Sequence, residues 1–342
     1  MRETNFLKHF ENSSDLLKNW RGQQCVGILE GLSSGNQSHT LAWNHMLERR
    51  GLRATYLSFE LRSFQDPENA LKEIISEAEV IPDIVGFKLA APYKRAVFRI
   101  LETYAEGAAA RLGVANTVVK KKGRFFCENT DGEGMYHNLL EAFGPLKGKT
   151  FLIVGAGGAA TTISDRLIQT AGRIVIANRT LKKAHLLKQL LNENHNGKTV
   201  EVVSMGDIPR VIQEVDCVIN TTPVGREGPL ASFSSLSQTD VSADENNKAS
   251  EEMINTLSRP IWFASTLYRP EKELLLRQAE KGGHRIVNGL GMWCYQAACA
   301  AKEFFFLDEL LSVPLHEIAT LFREGLNLKK HENKRHPSFI RE

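Results

Sequence analysis

The segment Val154-Gly155-Ala156-Gly157-Gly158-Ala159-Ala160 lies between an apolar run and an amphipathic stretch. Small residues there let the backbone turn tightly and bring N–H groups up to a pyrophosphate. They also open a helix whose N-terminal donors and positive dipole favour phosphate. A site for an unphosphorylated ribose places Asp or Glu about 20 residues further on. That place holds Asn178-Arg179-Thr180, with Lys183 a turn beyond. A guanidinium, a hydroxyl and an ammonium suit a 2′-phosphate, and no carboxylate stands at this strand end to repel it. Gly155, Ala156, Gly157, Gly158, Ala159, Asn178, Arg179, Thr180 and Lys183 are therefore candidate cofactor residues, and the expected cofactor is NADP. The competing reading is a packing turn followed by an exposed basic helix start.

Holding such a turn in place takes a parallel sheet with helical crossovers, and short apolar runs alternate with amphipathic stretches along most of the chain. Strands are expected at Cys25–Leu29, Ala54–Phe59 and Ile84–Leu89, and a hairpin at Gly113–Lys120 with Arg124–Cys127. A second series is expected at Lys149–Val154, Arg173–Ala177, Val200–Val203, Asp216–Asn220, Ile261–Phe263 and Arg285–Val287. Helices are expected from near Thr40, at Pro67–Ala78, at Trp293–Phe306 and at Leu315–Glu324. The second series is a doubly wound pattern. Between Leu230 and Ser258 the composition shifts to Ser, Asp, Asn and Glu, which predicts an exposed or poorly ordered loop.

The 342 residues suffice for two domains, and 42% hydrophobic with 24% charged residues is ordinary for a globular protein. A net charge of +3, from 43 basic against 40 acidic side chains, is too small to imply nucleic acid. The basic run Lys329, Lys330, His331, Lys334, Arg335, His336 reads as a solvated tail. No apolar stretch is long enough to span a membrane, and Met1–Gln24 lacks the apolar centre of a secretory signal. Five cysteines without CxxC spacing read as reduced core residues of a cytoplasmic protein. The ten histidines are scattered, so no metal is expected.

Six segments, in order, make the chain resemble the shikimate/quinate dehydrogenase family. They are Pro92-Tyr93-Lys94, Gly113-Val114-Ala115-Asn116-Thr117, Asn129-Thr130-Asp131-Gly132, the Gly155 turn with Asn178-Arg179-Thr180, Asn220-Thr221-Thr222-Pro223-Val224-Gly225, and Asn288-Gly289-Leu290-Gly291-Met292 through Gln296. The likeness runs from about Cys25 to Phe306. It implies an α/β protein of two lobes with a cleft between them: a substrate-binding lobe of residues 1–131 with 288–342, and a Rossmann-type NADP lobe of residues 132–287. It also implies that Lys94 and Asp131 are the catalytic pair. Moving a hydride to or from a carbinol carbon requires a proton on or off its oxygen; a lysine can carry that proton while a carboxylate orients the ammonium. Read from the residues alone, Lys94 is a lysine near a helix start and Asp131 a helix N-cap. The resemblance further assigns Asn116, Gln296 and Tyr268 to the substrate, and Thr222, Pro223, Val224, Gly289 and Met292 to the cofactor.

Two positions depart from the family pattern. Its Ser-x-Ser-Pro becomes Gln37-Ser38-His39-Thr40. Without a gap, Gln37 and His39 take the serine positions; with a one-residue deletion, Ser38 and Thr40 do. Its Asn-Val-Thr becomes Lys88-Leu89-Ala90, and residues two apart on a strand share a face. The substrate side thus loses a hydroxyl and gains Lys88, a possible ligand for an anionic or carbonyl group. The expected function is an NADP(H)-dependent oxidoreductase interconverting hydroxyl and carbonyl on a shikimate-like cyclic acid or related specialised metabolite. The alternatives are an authentic shikimate or quinate dehydrogenase, and an effector-binding regulatory protein without turnover. The expected partner is a small cyclic hydroxy or keto acid, with no nucleic acid and no membrane, in a monomer or homodimer.

Overall fold

The computed structural model describes residues 6–20, 23–31, 37–62, 66–90 and 92–335. The chain forms two compact units, residues 1–130 with 297–342 and residues 131–296.

The first unit is built on strands β1 (Gln24–Gly31), β2 (Ala54–Leu61), β3 (Ile84–Leu89), β4 (Thr117–Lys121) and β5 (Arg124–Glu128), in the order β2-β1-β3-β4-β5. β1 pairs parallel to β2 and β3, whereas β3–β4 and β4–β5 are antiparallel. Alternation along the strands gives this sheet two faces with different tasks. Phe59 and Phe87 bury one face with Phe6 and Phe10, and the Phe10 and Phe59 rings lie 5.0 Å apart. On the other face Trp43, from the helix Gln37–Arg49, stacks on Tyr56 at 4.7 Å. Phe322, from the helix Leu315–Arg335, closes edge-on at 4.8 Å. Asn44 ties the middle of the helix Gln37–Arg49 to β2: its side chain donates to Tyr56 O and accepts from Tyr56 N, at 3.0 and 2.8 Å.

The second unit is a six-stranded parallel sheet of β6 (Thr150–Val154), β7 (Arg173–Ala177), β8 (Thr199–Val203), β9 (Cys217–Asn220), β10 (Trp262–Ser265) and β11 (Arg285–Val287). Its order is β11-β10-β9-β6-β7-β8. Phe151, Leu152, Ile153 and Val154 are all buried, because helices cover both faces and the central strand has no solvent side. This is the α/β, doubly wound plan expected, with a separate mixed-sheet unit ahead of it.

Several boundaries differ from expectation. Gly113 does not begin a strand: it caps the helix Gly107–Leu112 in the left-handed region at φ +67, and β4 starts at Thr117. The chain returns to the first unit inside the helix Gly289–Ala300, not at 288. Met292 packs into the core of the second unit, and Asn138 Nδ2 donates to Asn288 O at 2.9 Å, which ties residues 288–296 there. The last helix runs to Arg335 and includes the basic run as far as that residue; the side chains of the run and His336 lie outside the described residues.

The largest correction is the stretch Leu230–Ser258. It holds an α-helix, Ala243–Asn255, with Asn246, Ser250, Met253 and Ile254 buried. Ser242 Oγ accepts from Glu245 N, and the Glu245 carboxylate accepts from Ser242 N, a capping box that satisfies two helix-end donors. The polar composition misled because it gives no sign that Asn246 and Ser250 pair with Ser234 inside the protein.

Candidate functional site

In the second unit, Gly155 ends β6 at φ +115, and its N–H donates to Ala177 O at 2.8 Å. A side chain there would stand 2.5 Å from Thr221 Oγ1, so glycine is required twice over, by conformation and by space. Above Gly157 and Gly158 the situation is the reverse. No atom among the described residues comes within 4 Å of where their Cβ atoms would be, leaving an open cradle before the helix Gly158–Leu167. Ala156 and Ala159 pack half-buried against the sheet core, and Ala160 is fully buried in it. Open space over small residues at a helix N-terminus fits a pyrophosphate.

The cradle adjoins a cavity of about 450 Å³ over the C-terminal ends of β6 to β9. Asn178 and Arg179 line it, as do Thr222, Pro223 and Val224. Asn178 Nδ2 donates to Thr180 O at 2.9 Å and shapes the turn that presents Arg179. Thr180 is the N-cap of the helix Leu181–Asn194, and it and Lys183 are exposed; neither lines the cavity. Of the three side chains expected to select a 2′-phosphate, Arg179 is the one that lines this cavity. One carboxylate does reach this cavity: Asp240, distant in sequence, forms part of its wall.

Glu273 was missed from sequence. It is 2% exposed, and both its oxygens accept from Asn220 Nδ2 at 2.9 Å. Asn220 Oδ1 in turn accepts from Thr222 N and Thr222 Oγ1, and its amide donates to Val224 O. The carboxylate thus holds the Thr222–Val224 loop through one amide. Burial pushes its pKa up, and hydrogen bonds from Ser265 and Asn220 partly offset this. Gly289 N donates to Leu267 O, and Met292 is 9% exposed beside the sheet. Burial raises the pKa of the Tyr268 phenol, with the cations of Arg269 and Arg226 opposing. Asp131 opens the helix Asp131–Phe143, and the backbone and Cβ of Gln296 pack beside Gly134 on it.

In the first unit, the end of β3 gathers Lys88, Lys94 and Asn116. Lys88 Nζ, 5% exposed, donates to Thr117 Oγ1 at 2.7 Å and Thr130 Oγ1 at 3.2 Å. Asn116 Nδ2 donates to the same Thr130 hydroxyl, and its Oδ1 accepts from Thr117 Oγ1 and Thr130 N. Leu89 N donates to Asn116 O, and Ala115 N donates to the carbonyl of Lys94, which opens the helix Lys94–Ile100. Lys88 is thus embedded in the hydroxyl network around Asn116. Ser38 and His39 are buried, the side chain of Gln37 lies outside the described residues, and Thr40 Oγ1 is buried with no hydrogen-bond partner among them.

A parallel sheet with a phosphate cradle, an arginine at the second strand end and a separate α/β unit carrying a lysine define an NADP-dependent dehydrogenase. Residues 37–118 match the family model of the shikimate dehydrogenase substrate binding domain, and residues 138–244 match that of shikimate / quinate 5-dehydrogenase. Shikimate dehydrogenase (NADP(+)) of Alkaliphilus oremlandii is 34% identical over 66% of this chain and 73% of its own. That of Methanocaldococcus jannaschii is 32% identical over 76% and 83%. A solved shikimate 5-dehydrogenase from Listeria monocytogenes, in complex with shikimate and NAD, superposes with a TM-score of 0.72 at 25% identity, covering 88% of this chain and 96% of that one. The chain belongs to the shikimate dehydrogenase family.

Proposed function

We propose that this protein is an NADP-dependent shikimate dehydrogenase, interconverting a ring hydroxyl of shikimate and the corresponding ketone. NADP, when bound, accepts or donates the hydride. Arg179 binds its 2′-phosphate, the Gly155–Ala159 turn its pyrophosphate, and Thr222–Val224, Gly289 and Met292 lie toward its nicotinamide. Lys94 moves the proton on the reacting oxygen and Asp131 orients that ammonium; Asn116, Gln296 and Tyr268 hold the substrate.

Authentic shikimate dehydrogenase, second in the reading from sequence, moves ahead of a divergent substrate for one structural reason: Thr40. Among the described residues its buried hydroxyl lacks a partner where the gapped alignment puts a carboxylate ligand, beside buried Ser38. A buried hydroxyl left unpaired is costly, and a substrate carboxylate would satisfy it. Relatives at 30–34% identity that carry the name shikimate dehydrogenase point the same way. A related cyclic acid remains the second reading, favoured by the ammonium of Lys88 beside Asn116. A cytoplasmic setting is part of the proposal and fits five cysteines that are all free and buried.

The test is steady-state oxidation of shikimate, quinate and related cyclic acids with NADP+. Shikimate is expected to give the highest kcat/KM. Lys94→Ala and Asp131→Asn are each expected to lower kcat by about 10²–10⁴-fold with NADPH binding intact. Full turnover without Lys94 removes it from the mechanism, and preference for another acid restores the second reading.

A further inference from the structure

The polar stretch after Leu230 supplies a wall of the nucleotide cavity. Ser235, Ser237, Gln238 and Asp240 line it together with Arg179 and Ser204. This wall is clamped from behind by the helix Ala243–Asn255. Asn246, 0% exposed, accepts from Ser234 N at 2.7 Å and donates to Ser234 O and Gln238 O at 3.1 and 2.7 Å. Ser250 Oγ lies 2.7 Å from both Ser234 Oγ and Gln278 Oε1. Asn246 thus fixes the backbone at both ends of Ser234–Gln238, and Ser250 holds the Ser234 hydroxyl.

Within this clamp sits a hydroxyl the fold does not use. Ser235 is 3% exposed, and its Oγ has no hydrogen-bond partner among the described residues. Buried polar groups are almost always paired, and an exception on the wall of a cavity points to a ligand that completes it. The ends of β7 and β8, at Arg179 and Ser204, set which part of a dinucleotide lies here. In a doubly wound sheet, the strand end after the glycine turn reads the adenosine ribose.

We propose that Ser235 Oγ hydrogen-bonds the adenosine half of the bound nicotinamide cofactor, and that the segment Ser235–Asp240 is a cofactor-binding wall. Adenosine offers ring nitrogens and ribose oxygens as acceptors and an exocyclic amine as donor, and a serine hydroxyl serves either way. The proposal rests on the reading that this unit binds NADP. It separates the wall from Arg179 in a measurable way. Adenosine is common to both cofactors, so Ser235 acts on NADPH and NADH alike, whereas Arg179 acts on the 2′-phosphate that only NADPH carries.

The experiment is equilibrium titration of NADPH, NADH and 2′,5′-ADP into the full chain, its Ser235→Ala variant and its Arg179→Ala variant, with apoprotein melting recorded for each. Ser235→Ala is expected to weaken all three ligands by a similar factor, roughly three- to ten-fold, the range of a neutral hydrogen bond. Arg179→Ala is expected to weaken NADPH and 2′,5′-ADP but not NADH. The apoprotein of Ser235→Ala is expected to melt at the same or a higher temperature, because it no longer buries an unpaired hydroxyl. Unchanged affinities, or a loss of affinity with a lower apoprotein Tm, would overturn the proposal, the second by giving Ser235 a merely structural role. A native protein that binds no NADPH overturns the cofactor reading itself, so the two failures are distinguishable.

Discussion

Lys88 shows how a single substituted side chain is to be read against its neighbours. The sequence places an ammonium where the family pattern has an amide, which suggests a new ligand for the substrate. The structure gives that ammonium two threonine hydroxyls, and both threonines also bond Asn116. Lys88 therefore supports Asn116 whatever else it does. Its replacement by methionine, similar in length but unable to donate, leaves Asn116 less firmly oriented. Losing a hydrogen bond from a charged donor costs about 1.5–3 kcal/mol where it is felt in full. With Asn116 in its proposed place on the substrate, an increase in KM for shikimate of about ten-fold is expected, with kcat and NADPH affinity little changed. Improved shikimate turnover in Lys88→Asn would contradict this role and return the preference to a different acid.

At the scale of elements, periodicity and glycine chemistry carried most of the information. The strands of the second unit fall where their apolar runs place them, because a buried parallel strand leaves a continuous hydrophobic signature. The Gly155 turn was legible because positive φ and the close approach of Thr221 both demand glycine. The stretch Leu230–Ser258 was not, although its Ser242–Glu245 capping box was there to be seen, because average composition hides polar side chains that pair with each other. Glu273 escaped for a similar reason: a lone glutamate carries no sign that it will meet Asn220, remote in sequence. Its raised pKa gives a checkable sign. The folded protein holds this proton more tightly than the unfolded chain does. Its contribution to stability is therefore fully present below the ordinary glutamate value of 4.5 and is lost as pH rises through the folded value. In denaturant melts, the stability of the native protein relative to Glu273→Gln should fall as pH rises across that window. A difference that stays constant with pH would show that Glu273 titrates as it does in the unfolded chain.

At the scale of the whole molecule, the path of the chain sets which part of the protein each mutation reaches. The first unit is discontinuous: it is left after Thr130 and completed only by residues 297–342, whereas the second is one continuous segment. The helix Leu315–Arg335 therefore serves the first unit's core, where Ile318, Ala319 and Phe322 are buried and Phe322 closes on Trp43. Trp43 belongs to the helix whose first turn carries Ser38, His39 and Thr40. Truncating Phe322 to alanine leaves a cavity against Trp43, at a cost of about 3–5 kcal/mol. That loss should fall on the first unit, lowering its unfolding transition and raising KM for shikimate as the start of the Trp43 helix loosens. The second unit has its own sheet core, in which Phe151, Ile153 and Ile174 are fully buried. Affinity for NADPH should accordingly stay within about two-fold of native, since the residues that line the cofactor cavity all belong to the second unit. Calorimetry with and without NADPH, alongside a fluorescence titration, separates the two effects. If Phe322→Ala weakened NADPH in proportion to its loss of stability, the two units would be folding as one cooperative body, and the assignment of substrate and cofactor binding to separately stable units would fail.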